Sequence, residues 1–525
     1  MTTDTGLIQA KHLFSLGVER FESGDYLASL QLWQQALKHA PDRVSILVNL
    51  SIAQLKLAKL SAAAATIKRA LEIDPTNSEA WKILMQIPAE FRSDLPALTV
   101  DHQKSKTIAE WIAAGRSALG QRNFEDALAC FSQALLISPK SVPAVIGKLS
   151  AIFESAGDQA ALQYAQDMQR HFGHSAEFLS DLGLLREKSG DFNGALLAYS
   201  EALHVDPRYS HAKLRKGLLL LMLGNYAEGW ELYEARFGQD NLIARYARIP
   251  RLQNLDQAKN KNVLVWAEQG LGDTLQFLRY IQPMMARGIH VFLEVPPELV
   301  SITTRNIPIT VGDDLGDQRE YAFQLPLLSV AGLLWDTLGH FGDSVPYLMP
   351  DHSRPSGLPK LPSHRLQIGV VCSGNPKHSN DGLRSLPASA FLGLGTFADL
   401  YLIQKEIRPN DQSLLAENPW FWDCSSLISD FDDTARLISE LDCVVSVDTA
   451  VAHLAGAMGK RVFLILPPHS DWRWGSIGST TPWYPNVTVL RRDKEHDLSS
   501  VIQTLQTTLI ALTPSLTMHR QPQKA

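Results

Sequence analysis

The stretch Ser446–Val462 reads SVDTAVAHLAGAMGKRV and follows the apolar run Leu441-Asp442-Cys443-Val444-Val445. A strand that ends at Asp448 and turns at once into a helix opened by Thr449 and Ala450 leaves bare backbone N–H groups at the positive end of a helix dipole. That is a ready anion site. His453 lies within the first two turns, where its ring either reaches the same anion or a sugar hydroxyl, or packs as a core residue. A P-loop is excluded, because Leu454 stands where its first glycine must be and Arg461 replaces the Ser/Thr.

Three more corners carry chemical groups. Ala267-Glu268-Gln269-Gly270-Leu271-Gly272-Asp273-Thr274 lies between a strand run and a helical run, and Gly270 and Gly272 fit the start of G-x-G-x-x-G, with Glu294 where a ribose-binding acid would fall. Leu275 takes the place of the third glycine, however, and would block the close helix–strand approach that a dinucleotide site needs. Asp273 has two readings: a helix cap accepting from free N–H groups, or a carboxylate at the mouth of a cleft, acting as general base for an acceptor hydroxyl.

The next corner runs from Cys372-Ser373-Gly374-Asn375-Pro376-Lys377-His378 through Asp381 to Arg384-Ser385. It offers hydroxyl, amide, backbone N–H and two cations, a mixture that suits a diphosphate and equally describes a solvated polar loop. The last corner, Pro467 to Trp474 with Pro482-Trp483-Tyr484-Pro485 after it, brings indole rings that stack on a sugar or base, or plug the domain edge. Asp430-Phe431-Asp432 has the form of a D-x-D metal site, but it immediately precedes the helical stretch 434–441, so capping accounts for it and no metal is expected.

Elements that position these corners follow from periodicity. Short β-branched runs alternate with helical stretches after about residue 255: strands at Asn262–Trp266 and 289–294 with a helix at 274–287 between them, then strands at 366–371, 399–404, 443–447 and 461–466. A proline-rich joint at 350–362 separates two α/β halves, expected at 255–360 and 365–515 with a disordered tail at 516–525. Ligands of such parallel-sheet domains bind at the carboxyl ends of the strands, so the cleft between the halves is the expected site.

Residues 1–250 have a different period. Gly17, Gly24, Tyr26, Trp33, Ala36 and Pro41, then Ala63, Ala70 and Pro75, then Gly115, Ala127, Phe131, Ala134 and Pro139, repeat the spacing of Gly183, Gly190, Phe192, Ala195, Tyr199, Ala202 and Pro207. This is the 34-residue tetratricopeptide pattern. Small residues sit where helices cross closely, aromatics fill the gap, and proline stops the second helix. A degenerate copy spans roughly 142–173, another copy follows at Gly217, Gly224, Tyr226 and Tyr233, and a break is expected near 88–106, giving an all-α solenoid of about six repeats.

The 525 residues, 45% apolar, exceed one typical domain, and a net charge of −6 gives no basic field for a nucleic-acid backbone. Four distant cysteines suggest neither disulfides nor zinc. The first residues lack a basic-then-apolar leader, and no run of 18 or more apolar residues occurs, so a soluble cytoplasmic protein is expected.

Taken together, Glu268–Thr274, Ser373-Gly374-Asn375 through Arg384-Ser385, Ser446–Gly456 and Asp471–Trp474 resemble bacterial proteins that join tetratricopeptide repeats to a glycosyltransferase domain like the ADP-heptose:lipopolysaccharide heptosyltransferases (glycosyltransferase family 9). The resemblance implies a GT-B fold, two Rossmann-like domains facing across a cleft, and inverting sugar transfer from a nucleotide sugar without metal or other cofactor. It makes Asp273 the base, within the loop of Gly270, Gly272 and Thr274. It makes Asp448, Thr449, Ala450 and His453 donor-binding residues, and it puts Arg384, where heptosyltransferases usually carry a lysine, on the diphosphate beside Ser373 and Asn375. Gln404, Lys405, Glu406 and Trp472 are the nucleoside or sugar contacts it suggests. The repeats favour a protein or peptide acceptor over a lipid. Two rivals differ in class or family: a repeat scaffold with an inactive transferase domain, and an O-linked N-acetylglucosamine transferase, whose His-Thr-Thr-Gly motif is not found here.

Overall fold

A computed structural model of the chain describes residues 2–74, 77–88, 91, 106–238, 245–316, 320–338, 345–359, 365–378, 380–492 and 497–517. It divides into two compact units, Met1–Phe172 and Gly173–Ala525.

The first unit is built of helical hairpins. Helices α1 (Thr2–Glu22) and α2 (Tyr26–His39), then α3 (Val44–Lys56) and α4 (Leu60–Ile73), are followed by α5 (Ser78–Gln86). A second series is α6 (Ile108–Gly120), α7 (Phe124–Ile137), α8 (Val142–Ala156) and α9 (Asp158–Phe172). Pro75, Pro96 and nearly all of the break expected near 88–106 lie outside the described residues. Each hairpin forms for a local reason. Gly17 lets the ring of Trp33 approach so closely that an added Cβ would lie 2.3 Å from Nε1, and Gly115 does the same for Phe131 at 2.8 Å. Asp25 and Asn123 cap the second helices by accepting from Ala28 and Asp126 N–H.

The second unit starts with two more such hairpins, α10 (Ala176–Lys188) with α11 (Phe192–Val205) and α12 (Ser210–Met222) with α13 (Tyr226–Tyr233). Its remainder holds two parallel sheets. The first has the order β3-β2-β1-β4, with β1 Asn262–Trp266, β2 His290–Glu294, β3 Thr310–Gly312 and β4 Phe323–Pro326. The second has the order β10-β9-β8-β5-β6-β7, with β5 Leu366–Val371, β6 Ala398–Leu402, β7 Phe421–Asp423, β8 Cys443–Val447, β9 Val462–Leu466 and β10 Val487–Arg491. All residues of β6, β8 and β9 are buried, the mark of strands covered on both faces. The solenoid followed by an α/β region of two parallel sheets is the architecture that the sequence implied.

The helix expected at 274–287 differs in detail. It starts earlier, as α14 (Leu271–Phe277), because Gly270 N–H donates to Asp273 Oδ2 at 3.0 Å across the first turn. It is then interrupted by a 3-10 turn at Leu278–Tyr280 before α15 (Ile281–Met285), since Pro283 has no N–H to give to the carbonyl four residues back. The remaining helices are α16 (Pro297–Asn306), α17 (Ser329–Leu338), α18 (Asp381–Arg384), α19 (Pro409–Glu417), α20 (Phe431–Glu440), α21 (Ala450–Ala457) and α22 (Leu498–Thr517). Helix α22 covers the first two residues of the expected tail, and the rest of that tail lies outside the described residues.

The last repeat does not stand apart from the α/β region. Leu221, Trp230 and Tyr233 belong to the same buried core as β1, α14 and the Trp472–Tyr484 loop, and Trp230 meets Trp472, Phe277 and Trp483 edge-on at 5.5, 5.8 and 6.4 Å. Beside them Arg236, on the turn after α13, pairs with the buried Glu268 at 2.8 Å and donates to Ser329 Oγ at 2.7 Å.

Candidate functional site

Strand order locates the crevice. From β5 the chain proceeds to β6 and β7 on one side and to β8, β9 and β10 on the other, so the switch point lies between β5 and β8. The polypeptide leaves β5 at Ser373-Gly374-Asn375 and leaves β8 at Asp448-Thr449, which sets these two corners side by side.

Arg384 bridges them. Its Nη1 donates to the carbonyl of Asp448 at 3.0 Å, and its guanidinium lies over Gly374, where an added Cβ would come within 2.6 Å of Nη2. Its Nε is buried without a hydrogen-bond partner among the described residues. Arg408 and Ser385 hold the loop through Asp381, whose Oδ1 accepts from Ser385 Oγ at 2.8 Å. Ser373 is fixed by Gln404: Oε1 accepts from the N–H groups of Cys372 (2.9 Å) and Ser373 (3.2 Å), and Nε2 donates to Ser373 Oγ (2.9 Å) and Glu406 O (2.9 Å). Gln404 thus uses its amide to shape the corner. Lys405 Nζ donates to Ser429 O at 2.9 Å, Glu406 is exposed, and Asn375 Oδ1 accepts from Lys377 N–H in a turn of its own loop.

Thr449 is the N-cap residue of α21, and its hydroxyl shares a hydrogen bond with Ser446 Oγ at 3.2 Å, leaving the first N–H groups of the helix uncapped by that side chain. Asp448 turns inward, where its Oδ1 accepts from Trp474 Nε1 at 2.9 Å. Burial and the nearby Asp471 raise its carboxyl to about 6, against the pull of the Trp474 hydrogen bond and of Arg384 and Arg473.

His453 is packed. Its ring stacks on Trp474 at 4.8 Å, and Nδ1 shares a hydrogen bond with Tyr484 Oη at 3.1 Å. Burial, with Arg473 and Arg279 near, pushes it well below the usual histidine range, so the ring is neutral. Gly272 of α14 meets this ring: an added Cβ would lie 2.8 Å from His453 Cδ2 and 3.4 Å from Ala450 Cα. The glycine of the first half therefore serves close packing of α14 against α21.

That contact brings Asp273 to the same place. Asp273 caps its own helix, Thr274 Oγ1 donates to Gly270 O at 3.1 Å, and the Asp273 carboxylate forms an ion pair with Arg473. Burial raises its proton affinity, Arg473 opposes that rise, and the net shift is upward. Glu268 anchors the loop from behind through Arg236 and Leu328 N–H, and Gln269 Nε2 donates to Tyr233 Oη at 2.8 Å.

Sequence reading places Trp472 against a sugar or base, but the ring is buried among Trp230, Tyr233 and Trp483. Of its neighbours, Arg473 reaches Asp273 and Trp474 reaches Asp448, while Asp471 holds Arg473. The signal for them was the Asp-Trp-Arg-Trp string after β9, although nothing in the string says which side chain points to the crevice. Tyr484 and Arg279 are likewise unassigned by sequence; Arg279 donates to Trp483 O at 2.9 Å beneath the histidine. Among the described residues no three His, Cys, Asp or Glu gather as metal ligands would, and no helix is long and apolar enough to cross a membrane.

Residues 20–87 and 180–241 match the tetratricopeptide repeat, and residues 429–508 match glycosyltransferase family 9 (heptosyltransferase). The chain is 25% identical to Protein FlbA of Caulobacter vibrioides over 365 residues, which is 62% of this chain and 59% of FlbA. It is 24% identical to anaphase-promoting complex subunit 3 of Schizosaccharomyces pombe over 220 residues, 41% of this chain and 33% of that protein. A solved tetratricopeptide protein of Thermus thermophilus is 22% identical, and the match covers 40% of this chain and 99% of that one, with a TM-score of 0.19. The chain thus spans less than two thirds of the length of the curated relatives it matches. The motifs and the strand order are in keeping with these matches: tetratricopeptide repeats precede an α/β region whose residues 429–508 are similar to glycosyltransferase family 9.

Proposed function

We propose that the chain is an inverting, metal-independent glycosyltransferase that moves a hexose or heptose from a nucleoside-diphosphate sugar to an acceptor hydroxyl on a protein or peptide held by the repeats. The observation that carries this reading is a pair of guanidiniums, the half-buried Arg384 and the buried Arg473, each with a buried donor atom lacking a hydrogen-bond partner among the described residues, beside Asp448 at the switch point with Asp273 opposite. A buried, unfilled cationic donor costs free energy that a diphosphate would recover.

In this mechanism the acceptor oxygen attacks the anomeric carbon from the face opposite the diphosphate. The C–O bond to the diphosphate breaks with its electron pair, and the hydroxyl proton passes to Asp273. Arg384, Ser373, Asn375 and the α21 N-terminus at Thr449 and Ala450 hold the departing charge. Burial suits Asp273 to the role by raising its proton affinity.

Full-length chain is incubated with UDP-, GDP- and ADP-sugars and co-expressed candidate acceptors, with nucleoside diphosphate release and acceptor mass as readouts. Asp273→Asn should abolish turnover while nucleotide still binds. Wild-type turnover by that variant would remove Asp273 from the mechanism.

A further inference from the structure

Asp273 is held by a cation that nothing in the mechanism above employs. Arg473 has a side chain only 7% exposed, lies over the Trp472 ring at 4.4 Å, and is anchored at one end: Nη1 donates to Asp471 Oδ1 at 2.7 Å, and the same oxygen accepts from the Arg473 backbone N–H at 3.0 Å. At the other end Nη2 faces Asp273 as an ion pair without the alignment of a hydrogen bond, and Nε has no hydrogen-bond partner among the described residues. The guanidinium fork therefore spans Asp471 and Asp273 at once, and Nε is the donor left over. Its chain neighbour Trp474 donates to Asp448 Oδ1 at 2.9 Å, which sets Arg473 next to the corner proposed for the diphosphate as well as to the base. The guanidinium makes Asp273 a weaker base than burial alone would make it, because the cation stabilises its charged form.

Resting on the transferase reading, we propose that Arg473 is a two-position counter-ion: it clamps Asp273 as seen here, and an incoming nucleoside diphosphate draws Nη2 and Nε to itself while Asp471 keeps Nη1. The exchange leaves Asp273 unpaired to accept the proton of the acceptor hydroxyl as the C–O bond to the diphosphate breaks. Acceptor activation is thereby tied to donor binding. A guanidinium can do this because its donors are spread over a rigid fork and serve two anions at once.

Binding of ADP, GDP, UDP and inorganic pyrophosphate is measured by titration calorimetry for the wild-type chain, D273N, R473Q and D273N/R473Q. D273N should bind the preferred probe at least about fivefold more tightly, since Arg473 no longer has to be taken from a carboxylate. In the R473Q background the same change should alter affinity by less than about twofold, which a purely structural role of Arg473 would not produce. An equal gain in both backgrounds is simple loss of charge repulsion and overturns the exchange while leaving the diphosphate site standing. No gain from D273N overturns it as well. Failure of all four proteins to bind any probe overturns both this inference and the transferase reading. If thermal melting shows that R473Q does not fold, R473M, which fills similar volume without charge, takes its place in the cycle.

Discussion

Replacing Arg236 by methionine isolates the strap between the last repeat and the loop that carries Asp273. The Arg236 side chain is 5% exposed and its partner Glu268 is fully buried, with Nη2 to Oε1 at 2.8 Å. Arg236 also donates to Ser329 Oγ at 2.7 Å and pairs with Glu234 at 2.8 Å, and its guanidinium lies over Phe237 at 4.1 Å. Methionine keeps most of the packing volume and removes the charge together with its hydrogen bonds. Breaking one side of a buried pair costs roughly 3–5 kcal/mol, because the remaining carboxylate stays desolvated. The Glu234 contact is more exposed and adds little to that figure.

The loss is read by urea unfolding followed through tryptophan fluorescence, since Trp230, Trp472 and Trp483 lie in this core. R236M/E268Q should recover most of it. The pH dependence has a definite sign: burial raises Glu268, and Arg236 comes first among the groups that oppose this, ahead of the backbone N–H groups of Glu268 and Leu328, so without the arginine the folded-state carboxyl titrates further above its unfolded value of about 4.3. The folded variant then takes up the proton first, and the gap to wild type should shrink as pH falls from 8 toward 5. A gap below about 1 kcal/mol at pH 8, or no recovery in the double variant, would refute the reasoning, since either result means that Glu268 carries no burial penalty. Turnover should fall too, by about a hundredfold if the loop shifts by about 1 Å.

What the sequence could show follows from how local each determinant is. Strands β1, β5 and β8 are short, mostly apolar runs rich in valine whose limits coincide with the expected ones, because near-complete burial demands such runs. By contrast β4 contains Gln324 and ends in Pro326, and β3 and β7 have three residues each, so no periodicity announces them. The repeats were readable because the same glycine–aromatic pair recurs at fixed spacing in Gly17/Trp33, Gly115/Phe131 and Gly183/Tyr199. At the site, Ser373, Asp448 and Thr449 were legible as groups at strand ends, and Arg384 as a cation in the segment that follows β5. Arg473, Trp474 and Tyr484 were not, since their positions depend on the loop after β9 folding back onto α14 and α21. Gln404 shows the converse: a polar residue at a strand end whose amide serves the neighbouring backbone.

Arg384→Gln should slow nucleoside diphosphate release in steady-state assays by about 10²–10³-fold, the effect of losing one preorganised donor worth roughly 2.7–4 kcal/mol; a loss below about tenfold would place the diphosphate elsewhere. Asp448, raised to about 6 against an unfolded value of about 3.9, takes up its proton in the folded state first, so its penalty is full at pH 8 and shrinks as pH falls through 6. D448N should therefore raise the melting temperature relative to wild type more at pH 8 than at pH 5, and an equal difference at both would contradict the assigned burial. Gly183→Ala and Gly120→Ala, both in helices, should have opposite signs in urea unfolding. At Gly120 nothing lies within 4 Å of an added Cβ, so the variant gains roughly 0.5–1 kcal/mol of backbone entropy. At Gly183 the Cβ would come within 2.5 Å of Tyr199 Cε1, and the ring is held because its Oη donates to Glu187 Oε2 at 2.8 Å. Overpacking of about 1–3 kcal/mol then meets or exceeds the same entropic gain, and G183A comes out neutral to destabilised. A G183A chain as stabilised as G120A would mean that the helices of this hairpin have room to part, and that the glycine–aromatic pair does not set their spacing.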